Sequence, residues 1–213
     1  MARTLYSLML DEAVVREVDA LAHRMGTNRS NLINSILAER VGFVTPEQQI
    51  RSVLSAIDRL MQPSRELIPF FAPNARSVSL KSALDYKYRP TVKYEVALTN
   101  PANGSFGVLS VLFRTRSVEL LAAMTDFFRF WAKLETTLLP PGSRPEMTLE
   151  DGRFTRTLAC PQPESDAEAL AEAITEYVKL FDRCLKACLA GKADRADITA
   201  AYRQHLAEAT TVV

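Results

Sequence analysis

Residues 3–42 read RTLYSLMLDEAVVREVDALAHRMGTNRSNLINSILAERVG, and their short alternating opening, Leu5 to Leu10, stands far from any other strand signal. With a side-chain period of two, Tyr6, Leu8 and Leu10 share one face while Leu5, Ser7 and Met9 share the other. A lone strand leaves its backbone N–H and C=O groups unpaired, so it needs a later strand of its own chain or a strand from another molecule. Asp11 is placed to cap a first helix whose apolar positions Val14, Val15, Val18, Leu21, Ala22 and Met25 recur at helical spacing, with Gly26 to end it. Asn28 is the expected N-cap of a second helix carrying Leu32, Ile33, Ile36, Leu37 and Val41, and Gly42 stops that one.

Further along, the helix signals at 45–61 are unusually complete: Thr45 as cap, Pro46 at the first helical position, Gln48 three residues after the cap, and an apolar face of Ile50, Val53, Leu54, Ile57, Leu60 and Met61. Residues 63–77 hold three prolines and read as a linker or packed loop. Three strands follow, at 78–88, 91–99 and 106–115, with NPANGS (100–105) as a turn, suggesting an antiparallel meander. A long amphipathic helix over 117–139, a loop at 140–152, a fourth strand at 153–160, a long helix over 166–191 and a shorter helix over 194–208 complete the chain. The expected fold class is α+β in three parts: a strand-helix-helix block at 1–44, a helix and linker at 45–77, and a larger α+β domain at 78–213.

Composition narrows the classes. The chain has 213 residues, 47% of them hydrophobic and 24% charged, as in a protein with a real core. A net charge of +1 carries no global basic bias toward polyanions. Three cysteines (Cys160, Cys184, Cys188) are too few for a disulfide framework, and no signal-peptide pattern or membrane-spanning apolar run is visible, so a reducing cytoplasmic setting is expected, with no membrane partner.

In strand length, apolar spacing of both helices and the MGTNRSNLI turn, residues 3–42 resemble the ribbon-helix-helix family of DNA-binding proteins of the Arc, MetJ and CopG type. The resemblance covers about a fifth of the chain. It implies an obligate homodimer in which two amino-terminal strands pair as an antiparallel ribbon that enters the major groove of double-stranded DNA. Carried over position by position, it places Arg3, Leu5, Ser7 and Met9 against bases. It places Asn28, Arg29, Ser30 and Asn31 against phosphate, where the amino terminus of the second helix and a guanidinium favour an anion.

Here the chain departs from the family pattern. Leu5 and Met9 offer only apolar contacts, such as those to a thymine methyl, so direct readout falls on Ser7 and Arg3, with DNA shape supplying the rest. Within residues 1–44, Arg3, Arg16, Arg24, Arg29 and Arg40 balance Asp11, Glu12, Glu17, Asp19 and Glu39. This neutral footprint calls for cooperating dimers or help from the second domain. Transcriptional regulation is the function the resemblance implies, with plasmid-maintenance or conjugation accessory roles using the same module. A dimerisation or scaffold module whose outward face packs on protein is the alternative.

Other candidates have plainer readings. Cys184 and Cys188 lie one helical turn apart and could join Cys160 as soft metal ligands, but no histidine is near in sequence, and burial as small hydrophobes is expected, with no metal and no cofactor. Phe127, Phe128, Phe130 and Trp131 suit core packing over a ligand pocket. The cluster KYRPTVKY, with Lys87, Arg89 and Lys93 among Tyr86, Tyr88 and Tyr94, fits a solvated strand face or a nucleic-acid surface. No catalytic motif is visible, and enzymatic activity is not expected. The domain at 78–213 would serve higher assembly or effector binding.

Overall fold

The computed structural model describes residues 5, 7–64, 66–70, 76–85, 89–102, 105–150, 152–159, 166–209, 211 and 213. The chain divides into two compact units, Met1–Gln48 and Gln49–Val213.

The first unit holds α1 (Glu12–Arg24), α2 (Arg29–Arg40) and the first residues of α3 (Pro46–Met61). Both helix ends predicted from glycine close with the same backbone device. Gly26 and Gly42 adopt φ of 62° and 71°. This lets Gly26 N–H donate to His23 O and Thr27 N–H to Ala22 O, while Gly42 N–H and Phe43 N–H bond Glu39 O and Ala38 O. Asn28 Oδ1 accepts from Asn31 N–H at 2.9 Å, as an N-cap should. Asp11 sits at the N-cap of α1, but its side chain makes no capping bond. Thr45 and Gln48 form the expected capping box, Thr45 N–H to Gln48 Oε1 at 2.8 Å and Gln48 N–H to Thr45 Oγ1 at 3.2 Å.

The expected strand at the amino terminus does not form in the single chain: residue 5 and residues 7–10 have no regular secondary structure. A strand exists only through its ladder, and among the described residues no other segment of this chain pairs with these.

The second unit is a six-stranded, wholly antiparallel sheet in the order β1-β2-β3-β4-β6-β5. Its strands are β1 (Leu67–Phe70), β2 (Ser77–Ala83), β3 (Thr91–Ala102), β4 (Ser105–Phe113), β5 (Met147–Glu150) and β6 (Arg153–Ala159), and its further helices are α4 (Val118–Leu138), α5 (Ala167–Leu189) and α6 (Arg195–Glu208). Two strands correct the sequence reading. β1 lies in the expected linker and β5 in the expected loop, and both sit at the sheet's edges, where four-residue strands suffice and where Pro69 need donate nothing to a second neighbour.

Alternation gives the sheet two unlike faces, broken in β2, where Ser79 on the second face is buried too. Val92, Tyr94, Val96 and Leu98 of β3, Leu109, Val111 and Phe113 of β4, and Phe154 and Leu158 of β6 are buried and share one core with α3, α4, α5 and α6. Phe127, Phe128 and Trp131 join them, as the core reading expected, with Phe128 stacked on Phe154 at 5.2 Å between ring centroids. The other face runs in register across all six strands. One row is Phe70, Ser79, Glu95, Ser110, Thr155 and Thr148, and the next is Ile68, Lys81, Lys93, Leu112, Arg153 and Glu150.

Inside the core lies a charged cluster. Arg156 of β6 donates from Nε to Glu135 Oε2 at 2.8 Å and from Nη2 to the Val213 carbonyl at 2.5 Å. Tyr202 donates to Glu135 Oε1 at 3.1 Å, the guanidinium lies 4.3 Å from the Tyr177 ring centroid, and Trp131 Nε1 donates to Tyr177 Oη at 2.9 Å. Burial opposes the charge on Arg156, yet Tyr177, Glu135 and Tyr202 outweigh it and hold its pKa above the ordinary value. A second buried pairing, Tyr94 Oη to Asp182 Oδ1 at 2.9 Å, continues through Lys186 to Glu66.

Candidate nucleic-acid interface

The residues that the family resemblance assigns to DNA lie in two places, the segment before α1 and the first turn of α2. Leu5 and Met9 are almost fully exposed, at 96% and 101%, and Ser7 is exposed beside them. Arg3 and Tyr6 lie outside the described residues.

At the start of α2, Asn28, Arg29, Ser30 and Asn31 are all exposed, with the backbone N–H of Asn31 already taken by the Asn28 cap. Arg29 is engaged: its Nε donates to Asp19 Oδ1 at 2.6 Å and its Nη2 to Asp19 Oδ2, a bidentate pair between α1 and α2. These hydrogen bonds hold the Asp19 carboxyl below its ordinary range. Both side chains are about half exposed, so solvent and salt reach the pair. An approaching phosphate therefore meets a guanidinium that already has an anionic partner. The sequence reading did not find Asp19. A signal existed, since Asp19 and Arg29 sit on consecutive helices joined by a tight Gly26 turn, but only the packing of α1 on α2 shows that they meet.

The apolar faces of this unit are largely uncovered. Among the described residues of 5–44, Ala22, Leu32 and Ala38 are the buried hydrophobics, while Val14, Met25, Ile36, Leu37, Val41 and Phe43 are all exposed. Eleven of the fifteen large exposed apolar side chains among the described residues lie within residues 5–44. A soluble unit does not ordinarily leave so much of both helices open to water.

The remaining candidates resolve as follows. Tyr94, read as a surface aromatic, is buried, and Lys93 pairs with Glu95 at 3.0 Å. Tyr86, Lys87 and Tyr88 lie outside the described residues, as does Cys160. Cys184 is buried and Cys188 half-buried, and burial pushes the Cys184 thiol up to about 11 and raises that of Cys188. Among the described residues no cluster of three histidine, cysteine or carboxylate side chains could hold a metal ion, and no helix is long and apolar enough to cross a membrane. No protein-family model, no curated protein and no solved structure matches this chain.

Proposed function

We propose that this chain is a homodimeric DNA-binding protein whose amino-terminal unit is a ribbon-helix-helix module, acting in transcriptional regulation. The observation that carries the reading is the unburied apolar surface of residues 5–44, where the exposed apolar side chains of two helices and an unpaired, extended-patterned segment are left without the partner their sequence calls for. A second copy supplies it: residues 5–10 pair across a two-fold axis, and the open faces of α1 and α2 pack on their counterparts. The paired segment then enters the major groove with Arg3, Leu5, Ser7 and Met9 outward, while Asn28, Arg29, Ser30 and Asn31 grip the flanking phosphates.

The neutral charge of residues 1–44 and the apolar Leu5 and Met9 favour a second reading, a two-chain module that docks on protein. Selection of genomic fragments by the purified protein, repeated with Arg29→Ala and Ser7→Ala, separates the two. DNA binding that is lost in the first variant and altered in sequence preference in the second supports the regulator. Absence of DNA capture by the wild-type protein, together with a dimer in solution, leaves the docking module.

A further inference from the structure

The sheet face opposite the helices carries an arrangement that folding alone does not favour. In the register of β2 and β3, Lys81 stands directly opposite Lys93. Like charges facing each other across an antiparallel pair are destabilising. The same row continues through Leu112 to Arg153, and exposed Arg114 follows β4 at that end of the sheet. Lys81 to Arg153 covers three strand intervals, about 14 Å at the usual spacing.

Two of these cations have modest company, Lys93 with Glu95 and Lys81 with the Phe70 ring at 5.0 Å. Among the described residues no carboxylate forms an ion pair with Arg114 or Arg153. Lys81, Lys93, Arg153 and Arg114 thus stand among Glu95, Glu150 and, just before β5, Glu146, an excess of one cation on a chain whose total net charge is only +1. The adjoining row is hydroxyl-rich, with Thr148 and Thr155 sharing a hydrogen bond of 2.5 Å between their Oγ1 atoms.

We propose that this open sheet face binds the sugar–phosphate backbone of duplex DNA, as a second contact surface separate from the amino-terminal unit. The complementarity is chemical. Lysine and arginine neutralise phosphates, serine and threonine hydroxyls donate to phosphate oxygens, and a row about 14 Å long reaches about four nucleotides at 3.4 Å rise each. The face is too polar for an apolar partner, since its large apolar groups are Leu112, Val108 and the edge residues Ile68 and Phe70. Contacts of this kind position without reading sequence, and they supply charge that the neutral amino-terminal unit lacks.

The test measures binding of the full chain to a fluorescein-labelled 30-base-pair duplex as a function of salt. It compares wild type, the triple variant Lys81→Gln/Lys93→Gln/Arg153→Gln, Arg29→Ala, and a control that removes three cations of α4, α5 and the turn after α5, Lys133→Gln/Lys179→Gln/Lys192→Gln. The sheet variant is expected to lower the slope of log K against log salt by about 2.7 and to weaken binding by about a hundredfold at 0.1 M salt, with the control unchanged. Emission from Trp131, buried in the core of the second unit, verifies that the sheet and control variants are folded, and helical circular dichroism does so for Arg29→Ala.

A sheet variant that binds as wild type overturns the inference. So does one that binds duplex normally but changes oligomeric state in sedimentation, since the face would then cover a second copy. Loss of binding in Arg29→Ala with a normal sheet variant would leave the amino-terminal reading standing and sink this one, and the converse result would do the reverse. Failure of wild type to bind any duplex sinks both.

Discussion

Glu135 and Arg156 are both essentially excluded from water, at 0% and 1% exposure, and each depends on the other. The guanidinium gives its protons to Glu135, Val213 O and Thr157 O, so removing Glu135 strands a buried positive charge. Glu135→Leu is expected to destabilise the second unit by about 3–5 kcal/mol in urea unfolding followed by Trp131 emission, whereas adding Arg156→Met to it should recover part of the loss. Three buried tyrosines make a related prediction about pH. Burial, more than any other cause, lifts the pKa values of Tyr94, Tyr177 and Tyr202 above 10. Above pH 10 the unfolded chain releases these protons while the folded chain keeps them, so stability is intact below that pH and falls as pH rises. The slope should be about 1.4 kcal/mol per pH unit for each tyrosine. In a spectrophotometric titration their tyrosinate absorbance should appear together with unfolding, and gradual ionisation near pH 10 in a folded chain would refute this.

At the scale of elements, local chemistry decides what holds and what was legible beforehand. The Thr45–Gln48 capping box couples two side chains to two backbone N–H groups at a buried position. Thr45→Ala should therefore cost about 1 kcal/mol, with Thr45→Ser close to wild type in thermal unfolding. Gly107 was not singled out by pattern, yet a Cβ there would lie 2.5 Å from Ala97 O in the neighbouring strand β3. Gly107→Ala should destabilise by about 1–3 kcal/mol, because strand backbone cannot yield as a flexible side chain would. The helices were readable because caps, glycine stops and 3.6-residue periodicity are local. β1 and β5 were not, because four residues, with Pro69 inside the first and a Gly152 turn straight after the second, are too short to show alternation, and only an already formed neighbour gives them a ladder. Arg156 was unreadable for a different reason: its position in an alternating strand says that it points inward, but not that Glu135 and Tyr202, from two helices, wait there. At the amino terminus, the Asn28 cap was legible and the Asp19–Arg29 pair was not, since tertiary packing brings together residues ten apart.

For the whole molecule, the two units differ in how complete they are as single chains. The second has a continuous core that includes the sole tryptophan, Trp131. The first buries little, and its open faces set the assembly prediction. Ile36 lies on α2 with 45% of its surface exposed in one chain, and in the proposed dimer it is covered by the partner. Ile36→Asp would place a carboxylate in that interface, where desolvating an unpaired charge costs several kcal/mol. Sedimentation should then report a monomer where wild type is a dimer, and duplex binding should be lost with the ribbon that dimerisation creates. Trp131 emission should remain that of the native protein, because its core belongs to the other unit. If the variant stays dimeric and binds DNA normally, the open face of α2 does not hold the two chains together. Were Trp131 emission to shift as well, the first unit would be stabilising the second, and the two could not be treated as separate cores.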